Sequence, residues 1–293
     1  GEAERADQRQ VDDAAALAVD AVADDVAEGA EGRLRERRRV QPVVDRAVPV
    51  RIVEDLAAAL VGRLHPGQRY VFKHNDLEDF EKQMQRATAV IEKQGAGGIL
   101  VITEGVFGMA GDQGKLTEIA ALKDTYEFRL LVDDAHGFGT LGATGAGAGE
   151  AQGIQGKIDL YFSTFAKSMA SIGAFVAGDR RILKYLRYSV RSQIYAKSLP
   201  MTLVLGGLKR LELLKKQPEL RADLWKIVNA MQSGLKERGF YLGNTSSPVT
   251  PVLFKGGVGE AANMAMDLRE HYGIFASIVV YPVIPKGHII YRL

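Results

Sequence analysis

The sequence contains no cysteine among its 293 residues. Disulfides, thiolate metal sites and cysteine nucleophiles are therefore excluded. Also missing are any apolar run near the roughly 18 residues that a membrane span needs and the apolar stretch of a secretory signal at the N-terminus. The formal net charge is only +2, which gives no reason to expect nucleic acid as a partner. We therefore predict a cytoplasmic protein with no integral membrane segment, no nucleic-acid partner and no metal site.

Residues 1–66 lack several residue types that the rest of the sequence contains. They contain no Lys, Ser, Thr, Asn, Met or aromatic residue, although all of these types occur after residue 67. A highly charged segment without aromatic residues can bury little surface to offset the loss of chain entropy. Its basic run at residues 35–39 could bind nucleic acid or a membrane, but it also fits a solvated surface. We predict that residues 1–66 are a low-complexity segment that is disordered, or a non-native one such as an out-of-frame, GC-rich translation.

The remaining sequence alternates between strand and helix patterns. A helix is predicted after a cap at Asn75 or Asp76, because apolar residues then recur at spacings of three and four until Gly95. Continuous apolar runs at 98–105, 129–133 and 159–165 have the length and composition of buried strands. A helix over 117–126 separates the first two of these strands. This alternation predicts βαβ units and a mostly parallel sheet.

Polar side chains follow two of the predicted strands. LVDDAHGFGTLG (131–142) places Asp133, Asp134 and His136 at one strand end, and IDLYFSTFAKSM (158–169) places Thr164 and Lys167 at another. In a parallel sheet, the loops that follow the strands line the ligand crevice. A lysine that forms a Schiff base, a carboxylate that pairs with the pyridine nitrogen, and phosphate donors are what pyridoxal phosphate (PLP) requires. These strand ends therefore predict a PLP site.

The same two motifs carry a family resemblance. DDAHGFGTLG, followed at this distance by STFAKSMASIGAFVAG, resembles the α-oxoamine synthase family of PLP enzymes, and within it the soluble, homodimeric serine palmitoyltransferase type. The resemblance runs from about residue 74 to 293. It implies an aspartate-aminotransferase-like (fold type I) α/β structure with a mostly parallel large domain and a partial small α+β domain. We place the partial large domain at 67–200, and the linker helices with the truncated small domain at 201–293.

The resemblance also assigns roles to individual residues. Lys167 would hold PLP as a Schiff base and would then remove the Cα proton of the substrate. Asp133 would pair with the pyridine nitrogen, and His136 would lie near the ring hydroxyl. Thr164 would reach the cofactor phosphate, and Ser198 would approach the phosphate bound in the other subunit of a homodimer. An isolated residue of each type more often has a structural or surface role, so these roles depend on the motifs around them.

Two further residues are candidates for the substrate site. Arg292 matches the family arginine that binds the substrate carboxylate, a role suited to the planar, two-point guanidinium group. Glu104 ends a predicted strand and could belong either to the site or to a turn.

The resemblance implies a reaction between an amino acid and an acyl-coenzyme A (acyl-CoA). L-Serine and palmitoyl-CoA would condense with decarboxylation to give 3-ketodihydrosphingosine. Other α-oxoamine synthases, such as glycine C-acetyltransferase and 8-amino-7-oxononanoate synthase, use glycine or alanine and acetyl-, succinyl- or pimeloyl-CoA. An inactive fragment of the same fold and a plain aminotransferase are the remaining alternatives. Relatives carry a glycine-rich phosphate loop and a ring-stacking residue near the N-terminus, and residues 1–66 match neither. We therefore expect weak or absent catalysis from this chain.

Overall fold

The fold is given by a computed structural model that describes residues 50–54 and 68–293. Over this part of the chain there are two β-sheets, a six-stranded one and a three-stranded one. The strands of the larger sheet are β1 (Val50–Glu54), β2 (Arg69–Phe72), β3 (Ile99–Glu104), β4 (Arg129–Asp133), β5 (Leu160–Thr164) and β6 (Ala174–Gly178). Their order is β2-β1-β3-β4-β5-β6, and every pair is parallel except the antiparallel β5–β6. The predicted mostly parallel α/β fold is confirmed.

Helices connect the strands of the larger sheet and lead to the smaller one. They are α1 (Leu77–Gln94), α2 (Leu116–Ala121), α3 (Ala148–Ala151), α4 (Arg180–Ser189), α5 (Arg191–Tyr195), α6 (Met201–Lys216), α7 (Glu219–Glu237) and α8 (Val258–Tyr272). The smaller sheet has the order β7-β9-β8 and consists of β7 (Pro251–Phe254), β8 (Ser277–Val279) and β9 (Ile289–Arg292). Both of its strand pairs are antiparallel. The larger sheet thus ends before residue 200 and the smaller one begins after it.

Helix α1 shows how local sequence fixes an element that supports the sheet. The Asp76 carboxylate accepts a hydrogen bond from the Asp79 backbone N–H at 2.9 Å, and Gly95 ends the helix in the left-handed conformation with φ of +66°. Between these caps, Phe80, Met84 and Ala87 are fully buried against the larger sheet. The predicted start, end and buried face of this helix are confirmed.

The prediction for residues 1–66 was wrong for one short stretch. Val50–Glu54 forms strand β1, which pairs in parallel with β2 on one side and β3 on the other. Three of its five residues are the β-branched Val or Ile, which favour the extended backbone, and two neighbouring strands supply backbone hydrogen-bond partners. Composition over 66 residues does not reveal such a local preference. The rest of the 1–66 segment lies outside the described residues.

The helix predicted over residues 117–126 is shorter than expected. α2 ends at Ala121 and continues as a single 3-10 turn over Leu122–Asp124. Asp and Thr at positions 124 and 125 are poor helix formers. In addition, the Lys123 ammonium donates hydrogen bonds to the Asp159 carboxylate and to the Lys157 carbonyl oxygen. This tertiary contact connects the 3-10 turn to the residues that precede β5.

Asp159 joins the beginnings of β4 and β5, at the edge of the sheet opposite to the polar strand ends. Its nearly buried carboxylate accepts hydrogen bonds from the Leu130 backbone N–H at 2.7 Å, from the Arg129 guanidinium at 2.9 Å and from the Lys123 ammonium. Burial acts to raise the pKa of Asp159, but the bonds from Lys123, Leu130 and Arg129 outweigh it and hold the pKa below its ordinary value. The ionised carboxylate therefore stabilises the fold.

We expect Asp159→Asn to lower the free energy of unfolding at pH 7 by about 1–3 kcal/mol, since buried donors lose a charged acceptor. A lowered folded-state pKa contributes stability above the unfolded pKa, and this contribution is lost as the pH falls through the folded value. The difference from wild type should therefore shrink below about pH 4. Urea denaturation at pH 7 and at about pH 3, which lies below the ordinary pKa of Asp, measures both effects. Glu212→Gln is the control, because the exposed Glu212 also pairs with two cations, and exposed ion pairs contribute little to stability. An equal effect of the two substitutions would contradict the prediction.

Candidate active site

The carboxyl ends of β3, β4 and β5 meet at one edge of the larger sheet. Glu104 is paired with Asp133, and Asp133 is paired with Phe162, so β3 and β4 end level with one another and β5 runs two residues further. Lys167 follows β5 after a short turn. The structure therefore brings the two polar motifs of the sequence to the same edge, as expected for parallel strands.

The two consecutive aspartates at the end of β4 have different environments. Asp134 is fully buried, and its Oδ2 accepts hydrogen bonds from the Ala148 backbone N–H at 2.7 Å and from the Tyr161 hydroxyl at 2.8 Å. Asp133 is only partly buried, and its Oδ1 accepts one hydrogen bond from the Ala135 backbone N–H at 3.1 Å. Burial raises the pKa of Asp133, while the Ala135 N–H and the Lys167 charge act in the opposite direction. Of the two carboxylates, Asp133 is the one that interacts with Lys167.

A cavity of about 310 Å³ opens beside this edge of the sheet. His136 and Lys167 line it from the loops after β4 and β5, and Arg292 lines it from the end of β9 in the smaller sheet. Pro248 and Val249, which precede β7, complete the wall on the side of the smaller sheet. An amine, an imidazole and a guanidinium group from three distant parts of the chain therefore share one cavity.

Lys167 has the electrostatic environment of a reactive amine. Burial lowers its pKa, the charges of Asp133 and Glu104 act to raise it, and the positive charge of Arg292 lowers it further, so that the net shift is downward. The sequence predicted apolar neighbours around this lysine, and Met169 is indeed buried. However, Ile172 is 68% exposed, and Lys167 as a whole residue is exposed although its amine is partly buried beside the cavity. The apolar residues near Lys167 in the sequence therefore enclose it only in part.

His136 is held neutral at physiological pH. Burial and the nearby positive charges of Lys167 and Arg292 lower its pKa to about 4. The ring lies so close to Gly108 that a Cβ atom at this position would come within 2.2 Å of His136 Nε2. Gly108 also accepts a hydrogen bond through its carbonyl oxygen from Arg292 Nη1 at 3.3 Å. Gly108 is not predicted from the sequence, where its one signal is a glycine in the loop after a buried strand.

Two predicted site residues lie elsewhere. The Thr164 hydroxyl donates to the Gly173 carbonyl oxygen at 3.0 Å and accepts from the Ala166 backbone N–H at 3.1 Å, so it stabilises the turn that carries Lys167. Ser198 is exposed in the irregular segment between α5 and α6 and does not line the cavity. A phosphate-binding role for either residue stays a prediction.

Metal clusters and membrane-spanning helices are both missing from the part of the chain that the structure describes. No group of three or more His, Cys, Asp or Glu residues in 50–54 and 68–293 has the arrangement to hold a metal ion. No helix in these same ranges is long and apolar enough to cross a membrane.

Known proteins share both the sequence and the fold. A cysteate-C-fatty acyltransferase of Capnocytophaga ochracea is 64% identical over 231 residues, which cover 79% of this chain and 55% of that protein. A serine palmitoyltransferase of Sphingobacterium spiritivorum is 35% identical over 221 residues, which cover 75% of this chain and 53% of that protein. This chain therefore spans about half the length of the curated relatives it matches.

A solved structure of serine palmitoyltransferase from S. paucimobilis, with a bound PLP–myriocin aldimine, superposes with a TM-score of 0.77 at 29% identity. The match covers 85% of this chain and 62% of that one. The relatives bear out the resemblance to α-oxoamine synthases. A family model described as aminotransferase class I and II matches residues 60–289, which is most of the sequence. The chain belongs to the aminotransferase class I and II family.

Proposed function

We propose that this chain carries the lysine-bearing part of a PLP-dependent acyltransferase that condenses an amino acid with a fatty acyl-CoA. The observation that carries the proposal is the convergence of Lys167, Asp133, His136 and Arg292 at the carboxyl edge of the sheet. Relatives that match this region are named for fatty acyl and palmitoyl transfer, and one solved relative contains PLP. We also propose that the complete enzyme is a homodimer.

The side chains at the cavity fit the ring and aldehyde of PLP better than its phosphate. Lys167 provides an amine with a lowered pKa, and Asp133 provides a carboxylate whose charge interacts with that amine. When bound, PLP withdraws electrons from the substrate Cα. Asp133 would keep the ring nitrogen protonated, and the neutral imidazole of His136 can donate one hydrogen bond to the ring oxygen. The described residues at this cavity offer less to the phosphate, because the Thr164 hydroxyl already bonds within its turn.

The remaining steps use Lys167 and Arg292. The Arg292 guanidinium would bind the carboxylate of the amino acid, which places Cα near the Lys167 amine. A neutral Lys167 would take the Cα proton. A bond would then form between Cα and the thioester carbonyl carbon, and the C–S bond would break with departure of coenzyme A. Cleavage of the bond between Cα and the carboxylate would release CO₂, and return of a proton from the Lys167 ammonium to Cα would leave an aminoketone.

The relatives differ in the amino acid that their names specify. The relative at 64% identity is named for cysteate, and the one at 35% identity is named for serine. The higher identity favours cysteate, whose side chain is a sulfonate, as the substrate of this chain. L-Serine with palmitoyl-CoA is the second candidate, because the S. paucimobilis structure with a similar fold is a serine palmitoyltransferase.

The test combines cofactor binding with product formation. The full chain is titrated with PLP, and the visible absorbance of the lysine-bound cofactor is recorded. Release of free coenzyme A from palmitoyl-CoA is then followed with cysteate, serine, glycine or alanine. We expect the release to be slow, because residues 1–66 match neither the phosphate loop nor the ring-stacking residue of relatives. It should be fastest with cysteate, with CO₂ formed in equal amount. PLP absorbance without any amino-acid-dependent release would contradict the acyltransferase reaction, and faster release with serine would replace the first candidate by the second.

Substitution of Arg292 provides a separate prediction. We expect Arg292→Ala to raise the amino-acid concentration that gives half of the spectral change of the PLP-bound chain by about 10- to 100-fold, since a charge-assisted pair contributes about 1.5–3 kcal/mol. PLP affinity should change much less. Arg180→Ala, at an exposed position on α4, is the control. An unchanged amino-acid affinity in Arg292→Ala would show that another residue binds the carboxylate.

A further inference from the structure

The buried carboxylate of Asp134 occupies a space bounded by three glycines. A Cβ atom on Gly105, Gly137 or Gly147 would lie 2.2, 2.1 or 1.9 Å from one of its oxygens. Real side chains do not approach so closely, so each of these positions requires a residue without a side chain. The three glycines come from the end of β3, from the loop after β4 and from the residue before α3. The space around Asp134 is thus built from separate parts of the fold.

Asp134 connects these parts through both its side chain and its backbone. Oδ2 accepts from the Ala148 backbone N–H in α3 and from the Tyr161 hydroxyl in β5. The Asp134 backbone N–H donates to the Phe162 carbonyl oxygen at 2.9 Å, and its own carbonyl oxygen accepts from the Phe138 N–H at 3.0 Å. This one residue therefore links the end of β4 to β5, to α3 and to the following turn.

The linked segments carry the candidate site. Asp133 precedes Asp134, His136 follows it by two residues, and Lys167 lies beyond the end of the strand that contains Tyr161. Asp134 itself does not line the cavity, and its Oδ2 bonds to Ala148 and Tyr161. Burial raises its pKa to about 6, which means that the ionised form is costly in this space. A buried carboxylate whose ionisation is energetically unfavourable adds little net stability to the fold. We therefore explain its presence between β4 and β5 by the relative positions of the strand ends that it fixes.

We propose that Asp134 is a positioning residue which, through its hydrogen bond to Tyr161, fixes the two strand ends that place Asp133, His136 and Lys167 around the cavity. The inference rests on the proposed function for the reaction that this geometry serves. Its first test does not require the cofactor.

Three substitutions separate positioning from stability. Asp134→Asn removes the charge, and Tyr161→Phe removes only the hydroxyl, which serves as the milder change if Asp134→Asn does not fold. Asp159→Asn is the matched control, because Asp159 is a nearly buried carboxylate joining β4 to β5 at their opposite ends. All three should lower stability, but only the first two should change the site.

The first measurement is the titration of His136 by NMR in the full chain without cofactor. In wild type and Asp159→Asn, the imidazole should stay neutral above about pH 5, because its pKa is about 4. In Asp134→Asn, a displaced turn should expose the ring, and its pKa should rise by at least about one unit toward the ordinary value near 6.5. Asp134, with a pKa of about 6, is mostly protonated in the pH range where His136 titrates, so loss of its charge alone would not raise the His136 pKa. The direction of the change thus separates positioning from electrostatics.

The second measurement is the affinity for PLP, taken from the Lys167-dependent absorbance. We expect the Kd for PLP to rise about tenfold or more in Asp134→Asn, to rise less in Tyr161→Phe and to stay unchanged in Asp159→Asn. If the wild-type chain shows no Lys167-dependent absorbance, the proposed function fails while the His136 titration still decides the positioning role. If Asp134→Asn and Tyr161→Phe both leave the His136 titration at its wild-type value, the inference is overturned. If Asp134→Asn does not fold, Tyr161→Phe alone decides the outcome.

Discussion

Replacement of Lys167 by alanine should abolish the visible absorbance that PLP acquires on the full chain. Only an amine can form the covalent link to the cofactor aldehyde, and Lys167 is the lysine that lines the cavity. Its lowered pKa increases the fraction of neutral amine available near pH 7. PLP would still contact the site without the covalent bond, so weak binding without the visible band is the expected state of the variant.

Two other lysine substitutions make the experiment specific. Lys184→Ala, at an exposed position on α4, should keep the full absorbance. Lys167→Arg keeps a positive charge but cannot form the link, so it should lose the band as Lys167→Ala does. Amino-acid-dependent release of coenzyme A should fall to background in both Lys167 variants. A normal spectrum in Lys167→Ala would show that another lysine binds PLP and would contradict the assignment.

The second large effect concerns Asp133. Asp133→Asn should leave the fold intact but slow removal of the Cα proton on the order of 10²–10³-fold, the usual effect of losing one electrostatic stabiliser. An amide cannot hold the ring nitrogen protonated through charge, so electron withdrawal from Cα weakens. Exchange of the Cα proton of the amino acid with deuterated solvent measures this step separately from acyl transfer.

The neighbouring aspartate provides the comparison. At saturating PLP, Asp134→Asn should exchange faster than Asp133→Asn, because it keeps the Asp133 carboxylate that would hold the ring nitrogen protonated and its loss of cofactor affinity no longer limits the rate. Circular dichroism of both variants controls for folding. Rapid exchange in Asp133→Asn together with slow exchange in PLP-saturated Asp134→Asn would show that the roles of the two carboxylates are reversed.

Several features could be predicted from sequence because they depend on neighbouring residues. Residues close together in the sequence encode the apolar runs of β3, β4 and β5 and the caps of α1. All four elements have bounds close to the predicted ones. The motifs around Asp133 and Lys167 also follow strand patterns. Parallel strands place their carboxyl ends at one edge, so the meeting of these two motifs followed from local patterns and chain direction.

Other features depended on contacts between distant segments. β1 formed inside a segment whose composition predicted disorder, because two neighbouring strands offered it partners. The segment after α2 contacts Asp159 through Lys123, a residue pair 36 positions apart in the chain. The Thr164 hydroxyl bonds to a turn carbonyl 9 residues away, and its role in phosphate binding stays a prediction. Such contacts have no counterpart in a single sequence window.

The sequence by itself determined the chemistry available at the strand ends: an amine, an imidazole and two adjacent carboxylates. Only the tertiary structure decided how the two carboxylates differ. The glycine-lined space and Tyr161 bury Asp134 and occupy one of its oxygens, which leaves Asp133 as the carboxylate that interacts with Lys167. The structure likewise decided that Arg292 reaches the cavity, because β9 lies between β7 and β8 and ends beside Gly108. The physical reason is that burial and charge proximity arise from packing between segments, and sequence spacing does not encode either quantity.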